Sequence, residues 1–285
     1  MKRRKAFTLI ELLVVIAIIA LLLSILMPSL QKVKKQSQTV VCRSNLKQLN
    51  LGLVMYLDDY NSKFWLGYKP PGPGSNWWMP AVKAYAGDVS EIRFCPAATK
   101  LRYREDGSNG PGYLDEPFTA WGRNWWLDSI SPLPECHFGS YASNGWVEDK
   151  PDDLTDAVNK PKYWRRYNKI TETNTVPFLT DGQWIDGWPN PGERPPENEN
   201  VFWDTNNPDG IASGATGSHF ERFVQNRHNK GQNVIFMDGS TRKVGLKELW
   251  TFKWHRQYNT KGVWTKAGGA KRSSWPDWMQ GFEDY

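Results

Sequence analysis

Histidine and cysteine are scarce in this chain, at four and three among 285 residues. No Cys-x-x-Cys pair with a matching histidine spacing occurs, so local pattern gives no reason to expect a metal site. His137, His219, His228 and His255 offer little for acid–base chemistry. His228 with Asp238 and Ser218 or Ser240 supplies the residue types of a triad. A serine on a hairpin turn, however, lacks the strand-to-helix elbow that exposes a nucleophile, and no enzyme is expected. A long Lys/Arg run is also missing beyond the N-terminus. The formal charge is +6, but Lys2, Arg3, Arg4 and Lys5 supply four of those charges. The rest is close to neutral, and nucleic acid is not an expected partner.

One long apolar run is present. Residues 7–27 read FTLIELLVVIAIIALLLSILM, with Glu11 as the single ionisable side chain. As a helix this segment rises about 30 Å, enough to cross a bilayer's hydrocarbon core. The cationic cluster ahead of it is tighter than Lys32, Lys34 and Lys35 behind it, which favours a cytoplasmic N-terminus with the body on the far side. A cleavable signal peptide has a shorter apolar region and a small-residue cleavage site. Here the run continues into Met27-Pro28-Ser29-Leu30. An ordinary anchor has no use for Glu11, since a lone intramembrane carboxylate costs about 2.5–3.5 kcal/mol. Pro28 lacks an N–H and clashes with the Ser24 carbonyl, so a kink or a melted turn is expected over 24–28.

The residues Lys5-Ala6-Phe7-Thr8-Leu9-Ile10-Glu11-Leu12-Leu13 resemble the processing site of type IV prepilins and type II secretion pseudopilins, with Ala6 where members usually carry glycine. Pro28 falls where those helices often carry a proline. The resemblance implies that a prepilin peptidase cuts after Ala6 and methylates the new amine of Phe7. It also implies that Glu11 neutralises the N-terminal amine of a neighbouring subunit during assembly. The implied partners are that peptidase, other pilin-like subunits and the inner membrane. The expected organisation is a leader over 1–6, a transmembrane helix over 7–30, its amphipathic continuation over 31–60 and an exported body over 61–285.

From Gln31 to about Tyr60, Val33, Val40, Leu46, Leu49, Leu53 and Leu57 recur as one helix face, predicting a continuous helix from Phe7 that lays this stripe on the body. Beyond it, short apolar runs alternate with turn residues, and regular helical spacing for βαβ units is absent. Candidate strands are Ile92–Cys95, Val176–Thr180, Asn233–Met237 and Thr241–Val244. The expected fold is α+β: the long helix packed on a small antiparallel sheet with large loops. Asp238-Gly239 predicts a tight hairpin with positive φ angles between the last two strands, and Asp181-Gly182 ends another run with the same signal. His228, nine residues ahead of Asp238-Gly239, resembles a hairpin of pilin-like proteins abundant in planctomycetes. Cys42-Arg-Ser-Asn45, Tyr56…Asp58 and Phe94-Cys95-Pro96 belong to the same resemblance. His228 is expected to hydrogen-bond that hairpin and fix its turn.

Three cysteines outside the cytoplasm allow one bridge, with three pairings. Cys42 with Cys95 is preferred, because it would tie helix to sheet. No cofactor is expected, although Asp181, Asp186, Asp204, Asp209 and Asp238 in Gly/Asn-rich segments are candidates for calcium. Sixteen tryptophans stand out. Trp77-Trp78, Trp125-Trp126, Trp184, Trp188 and Trp203 fall in loop-like segments, where rings either fill a loop-heavy core or stack on sugars and partners. Two functions follow: a structural filament subunit, or a surface-displayed module binding carbohydrate or protein and exported by the pilin pathway.

Overall fold

The computed structural model describes residues 8–67, 77–101, 118–122, 138–150, 157–199 and 218–285. Helix α1 (Leu9–Asp59) is a single run of 51 residues. Thr8 caps it, its side chain accepting from the Glu11 N–H at 3.2 Å, while Glu11 Oε2 accepts from the Thr8 N–H at 2.8 Å. This reciprocal pair satisfies donors that a helix start otherwise leaves free. The melted turn expected at Pro28 is absent, and the helix runs through it. Proline removes one bond, and melting the turn would sacrifice several more in a segment with intact apolar turns on both sides.

Every residue of α1 up to Ser37 is exposed. Its buried face begins at Cys42 and continues through Asn45, Leu46, Leu49, Gly52, Leu53, Tyr56 and Leu57, the helical spacing of a core-facing stripe. Val33 and Val40, which the pattern assigned to that stripe, are exposed. Among the described residues the first partly buried helix position is Gln38, whose Nε2 donates to the Pro96 carbonyl at 3.0 Å. About 45 Å of helix ahead of it is thus left exposed by the described part of the body.

Helix α2 (Trp78–Ala86) crosses α1 at Gly52. A Cβ there would stand 2.9 Å from Val82 Cγ1, 3.0 Å from the Val82 carbonyl oxygen and 3.1 Å from Ala86 Cβ. Gly52→Leu is expected to lower stability by about 1–3 kcal/mol through overpacking. Thermal unfolding checks this, and an unchanged midpoint would mean the two helices do not meet here.

A short parallel ladder joins β1 (Lys100–Leu101) to β2 (Thr119–Ala120). The main sheet contains β3 (Tyr141–Asn144), β4 (Pro177–Asp181), β5 (Asp186–Gly187), β6 (Gly231–Phe236) and β7 (Thr241–Gly245), in the order β5-β3-β4-β6-β7. It is mixed rather than antiparallel throughout, because β5 pairs parallel with β3. After β4 the chain passes closely over β3. A Cβ on Gly182 would lie 2.4 Å from Ala142 Cβ, so only glycine allows that path. Asp181-Gly182 is accordingly a crossing point and not a hairpin turn. Ile92–Cys95 is not a strand. Its N–H groups at Arg93 and Phe94 turn back to the Val89 and Glu91 carbonyls, while the Phe94 carbonyl accepts from Asn45 Nδ2 at 2.9 Å and the Cys95 N–H donates to Ser140 Oγ.

All six residues of β6 are buried, since α1 covers one face and an aromatic layer the other. In that layer Phe220 stacks on Trp250 at 3.9 Å, Phe223 lies 4.7 Å from Trp254 and Phe236 meets Phe252 edge-on at 5.1 Å. The indole N–H groups tie loops to this layer. Trp78 donates to the Ile185 carbonyl, Trp146 to Pro189, Trp164 to Trp254 and Trp250 to Glu193, at 2.8, 2.9, 3.1 and 3.0 Å. A small sheet with long connections needs bulky side chains to exclude water and donors to satisfy loop carbonyls, and tryptophan supplies both.

Candidate functional site

Two regions carry chemistry. The first is the projecting half of α1, the one helix among the described residues long and apolar enough to cross a membrane. Its leucines, isoleucines and valines from Leu9 to Leu30 are all exposed. A rod of this kind in water has no partner for its surface, so its free energy falls when lipid or like rods cover it. Glu11 lies in the first turn. Its Oε2 also accepts from Thr8 Oγ1 at 2.9 Å, and Oε1 is not used in the cap. Ala6 and Phe7 lie outside the described residues.

The second is a buried cluster where α1 meets the body. Cys42 comes from α1, Cys95 from the segment after α2, Asp181 from the end of β4 and His228 from just before β6, and all four are buried. One ligand-type atom from each lies within 4.8 Å of the others. His228 Nε2 is 3.2 Å from Asp181 Oδ2 and 3.3 Å from Cys95 Sγ, and Cys42 Sγ is 3.7 Å from Asp181 Oδ1. Both cysteines are free thiols, so the bridge expected between Cys42 and Cys95 is not formed even though the fold brings them together. Cys136 lies outside the described residues.

Around this cluster the polar groups are tightly held. Arg227, its side chain fully buried, donates to the carbonyls of Ser140, Thr119 and Gly182 at 2.6, 2.6 and 2.9 Å and reaches Asp181 Oδ1 at 3.4 Å. The Asn233 N–H donates to Asp181 Oδ2 at 2.8 Å. Burial pushes the Asp181 carboxyl up, but His228, Arg227 and the Asn233 N–H more than reverse this and bring it to about 2. Burial likewise raises the Cys95 thiol, and Cys42, His228 and Arg227 draw it down to about 7. The Cys42 thiol is pushed well up, chiefly by burial.

The His228 to Asp238 spacing measures β6 plus its turn. The chain turns back through Asn229 and Lys230, both at positive φ, with the His228 N–H donating to Gly231. At the far end of β6, Gly239 donates to Phe236 and Phe236 to Ser240, with Gly239 at φ +79°. This is a three-residue loop with a glycine bulge, so Gly239 alone needs the left-handed region and Asp238 does not. The Asp238 side chain accepts from the Ser240 N–H at 2.8 Å. His228 does not fix this turn. Its ring faces Asp181 and Cys95 at the opposite end of the strand.

The remaining sequence candidates stay apart. Asp186 pairs with Arg222 at 3.5 Å, and Asp204, Asp209 and His137 lie outside the described residues. His255 is packed between Trp146 and Tyr258, and His219 lies against Trp188. Trp77, Trp78 and Trp184 are interior, Trp188 is half-buried, and Trp125, Trp126 and Trp203 lie outside the described residues. Sequence reasoning missed Arg227 and Thr39 entirely. A basic residue directly before His228 was the available signal for the first.

The family model for the prokaryotic N-terminal methylation motif matches residues 1–27. No curated protein and no solved structure matches the chain. The motif and the apolar helix behind it support a type IV pilin-like protein, membrane-anchored through a single N-terminal helix.

Proposed function

We propose that the chain is a non-enzymatic structural subunit of a type IV pilus-like filament or a type II secretion pseudopilus. In this reading a prepilin peptidase removes residues 1–6 and methylates Phe7. The rod from Phe7 waits in the inner membrane, N-terminus in the cytoplasm and body outside, until it joins the rods of other pilin-like subunits. Glu11 neutralises the terminal amine of a neighbour, which offsets its own cost in lipid and sets the register. The observation that carries the reading is the length of α1 left bare: an apolar helix that none of the described body residues covers, behind a methylation motif.

Fractionation of sheared surface filaments and membranes tests this reading. A filament subunit is recovered in the filament fraction with other pilin-like chains. Recovery solely as membrane monomers would favour a displayed binding module. That alternative leaned on tryptophans presented in loops, and the interior positions of Trp77, Trp78 and Trp184 remove those three from its support.

A further inference from the structure

Counting protons in the buried cluster leads to a ligand. The Thr39 hydroxyl donates to the Lys35 carbonyl at 2.9 Å, so at His228 Nδ1, 3.2 Å away, its oxygen acts as the acceptor. That places a proton on Nδ1 and leaves Nε2 as the ring atom facing Asp181 Oδ2 and Cys95 Sγ, where it donates its own proton to the carboxylate and can give that proton up to bind a metal. A carboxylate oxygen, a thiol sulfur and an imidazole nitrogen thus converge, with Cys42 Sγ closing the fourth side. Tyr141 donates its hydroxyl to Cys42 Sγ at 3.5 Å, and the Asn233 N–H holds Asp181. An N–H passed outward from the ring and hydrogen bonds behind the other donors are what orient ligands around a metal.

We propose that Cys42, Cys95, Asp181 and His228 form a structural zinc site that fastens the projecting helix to the body. Two thiolates, one imidazole and one carboxylate are zinc's preferred donors, and burial on all sides suits a closed tetrahedral site. Zinc bonds of about 2.0–2.3 Å imply ligand–ligand edges of about 3.3–3.8 Å. His228 Nε2 lies 3.2 Å from Asp181 Oδ2 and 3.3 Å from Cys95 Sγ, which already approaches that spacing, and one ligand atom from each of the four residues lies within 4.8 Å of the others. Charge also balances. The divalent ion with two thiolates and a carboxylate leaves one negative charge, and the Arg227 guanidinium beside Asp181 cancels it, so no net charge is buried. The protons on the thiols and on His228 Nε2 leave as the ion enters. The ligands come from four separate segments, so the ion joins the stalk to the sheet and to the Phe94-Cys95-Pro96 segment at once.

The test uses the full chain purified in detergent without chelator, carrying Cys136→Ser so that the cluster thiols are the only ones. The expected result is one zinc per chain, with both thiols unreactive until a strong chelator is added and the melting temperature then falling by on the order of 10 °C. Cobalt added to the stripped, reduced chain should give the visible bands of a tetrahedral thiolate site. Cys95→Ser should lose the metal. Thr39→Val, at a half-buried position, should weaken zinc binding by roughly 10- to 100-fold by releasing the His228 Nδ1–H that Thr39 holds, with an unchanged melting temperature of the metal-free chain showing that the fold is intact. Absence of zinc together with no cobalt spectrum would overturn the proposal. So would a Cys42–Cys95 disulfide in the isolated protein, or zinc retained undiminished in Cys95→Ser.

Discussion

Glu11→Leu chains are expected to insert into the membrane at least as well as the parent and to fall by roughly tenfold or more in the filament fraction. The two effects have opposite signs, which makes the result diagnostic. Removing a carboxylate from an apolar helix relieves about 2.5–3.5 kcal/mol of insertion cost, so loss of filaments cannot be assigned to failed anchoring. What disappears is the partner for a neighbour's amine, and a difference of about 1.4 kcal/mol already shifts an assembly equilibrium tenfold. Glu11 also caps its own helix through Thr8, and Glu11→Gln separates these roles. Glutamine serves the same capping pattern without the charge. The pairing account predicts that Glu11→Gln fails in filaments nearly as completely as Glu11→Leu. Normal filaments from Glu11→Gln would reduce the residue to a cap. Immunoblots of sheared filaments against membranes supply the measurement.

Arg227→Ala is expected to be the most damaging single change in the body, at about 3–5 kcal/mol. The guanidinium is bonded to three carbonyls and to Asp181, all in the interior. Truncation leaves the Thr119 and Gly182 carbonyls without the Arg227 donor and takes from the buried Asp181 carboxylate one of its two cationic neighbours, each a costly outcome in a medium of low polarity. For a chain of this size the melting temperature should drop by on the order of 10 °C. Because the weakened pairing of the buried carboxylate carries part of the loss, Asp181→Asn added to Arg227→Ala should restore some of it. A double variant no more stable than Arg227→Ala would mean the carbonyl bonds carry the whole effect. Thermal unfolding of the detergent-solubilised proteins, in the presence of chelator, measures this apart from any bound metal.

The helix was legible because its signals are local and long: a run of twenty-one positions of which eighteen are apolar, then a stripe at helical spacing. Even so, the stripe was placed too early, since Val33 and Val40 obey the period but lie where no body covers them. Strands β4, β6 and β7 showed as apolar runs with turn signals. Strands β3 and β5 did not, since four polar or small residues and a two-residue Asp-Gly pairing look like loop until a neighbour supplies their hydrogen bonds. Ile92–Cys95 carried strand-like composition, yet local turn bonds to Val89 and Glu91 together with Asn45 and Ser140 satisfy its backbone instead.

In the buried cluster each member was visible alone and the assembly was not. Cys42, Cys95 and His228 drew notice for resemblance or scarcity, and Asp181 for its glycine neighbour. Metal-ligand patterns are recognised by close spacing, whereas these four are brought together by α1, the sheet and two connections distant in sequence. Tryptophan content could not distinguish interior from surface, because both uses place the residue in segments that resemble loops.

The most direct test of the central claim, that the apolar rod persists in the finished molecule and carries it into a filament, is the intact mass and N-terminal sequence of the mature protein. The account predicts a chain starting at Phe7 with a methylated amine and with Glu11 retained. A soluble product starting beyond Met27, or a chain still beginning at Met1, would contradict it.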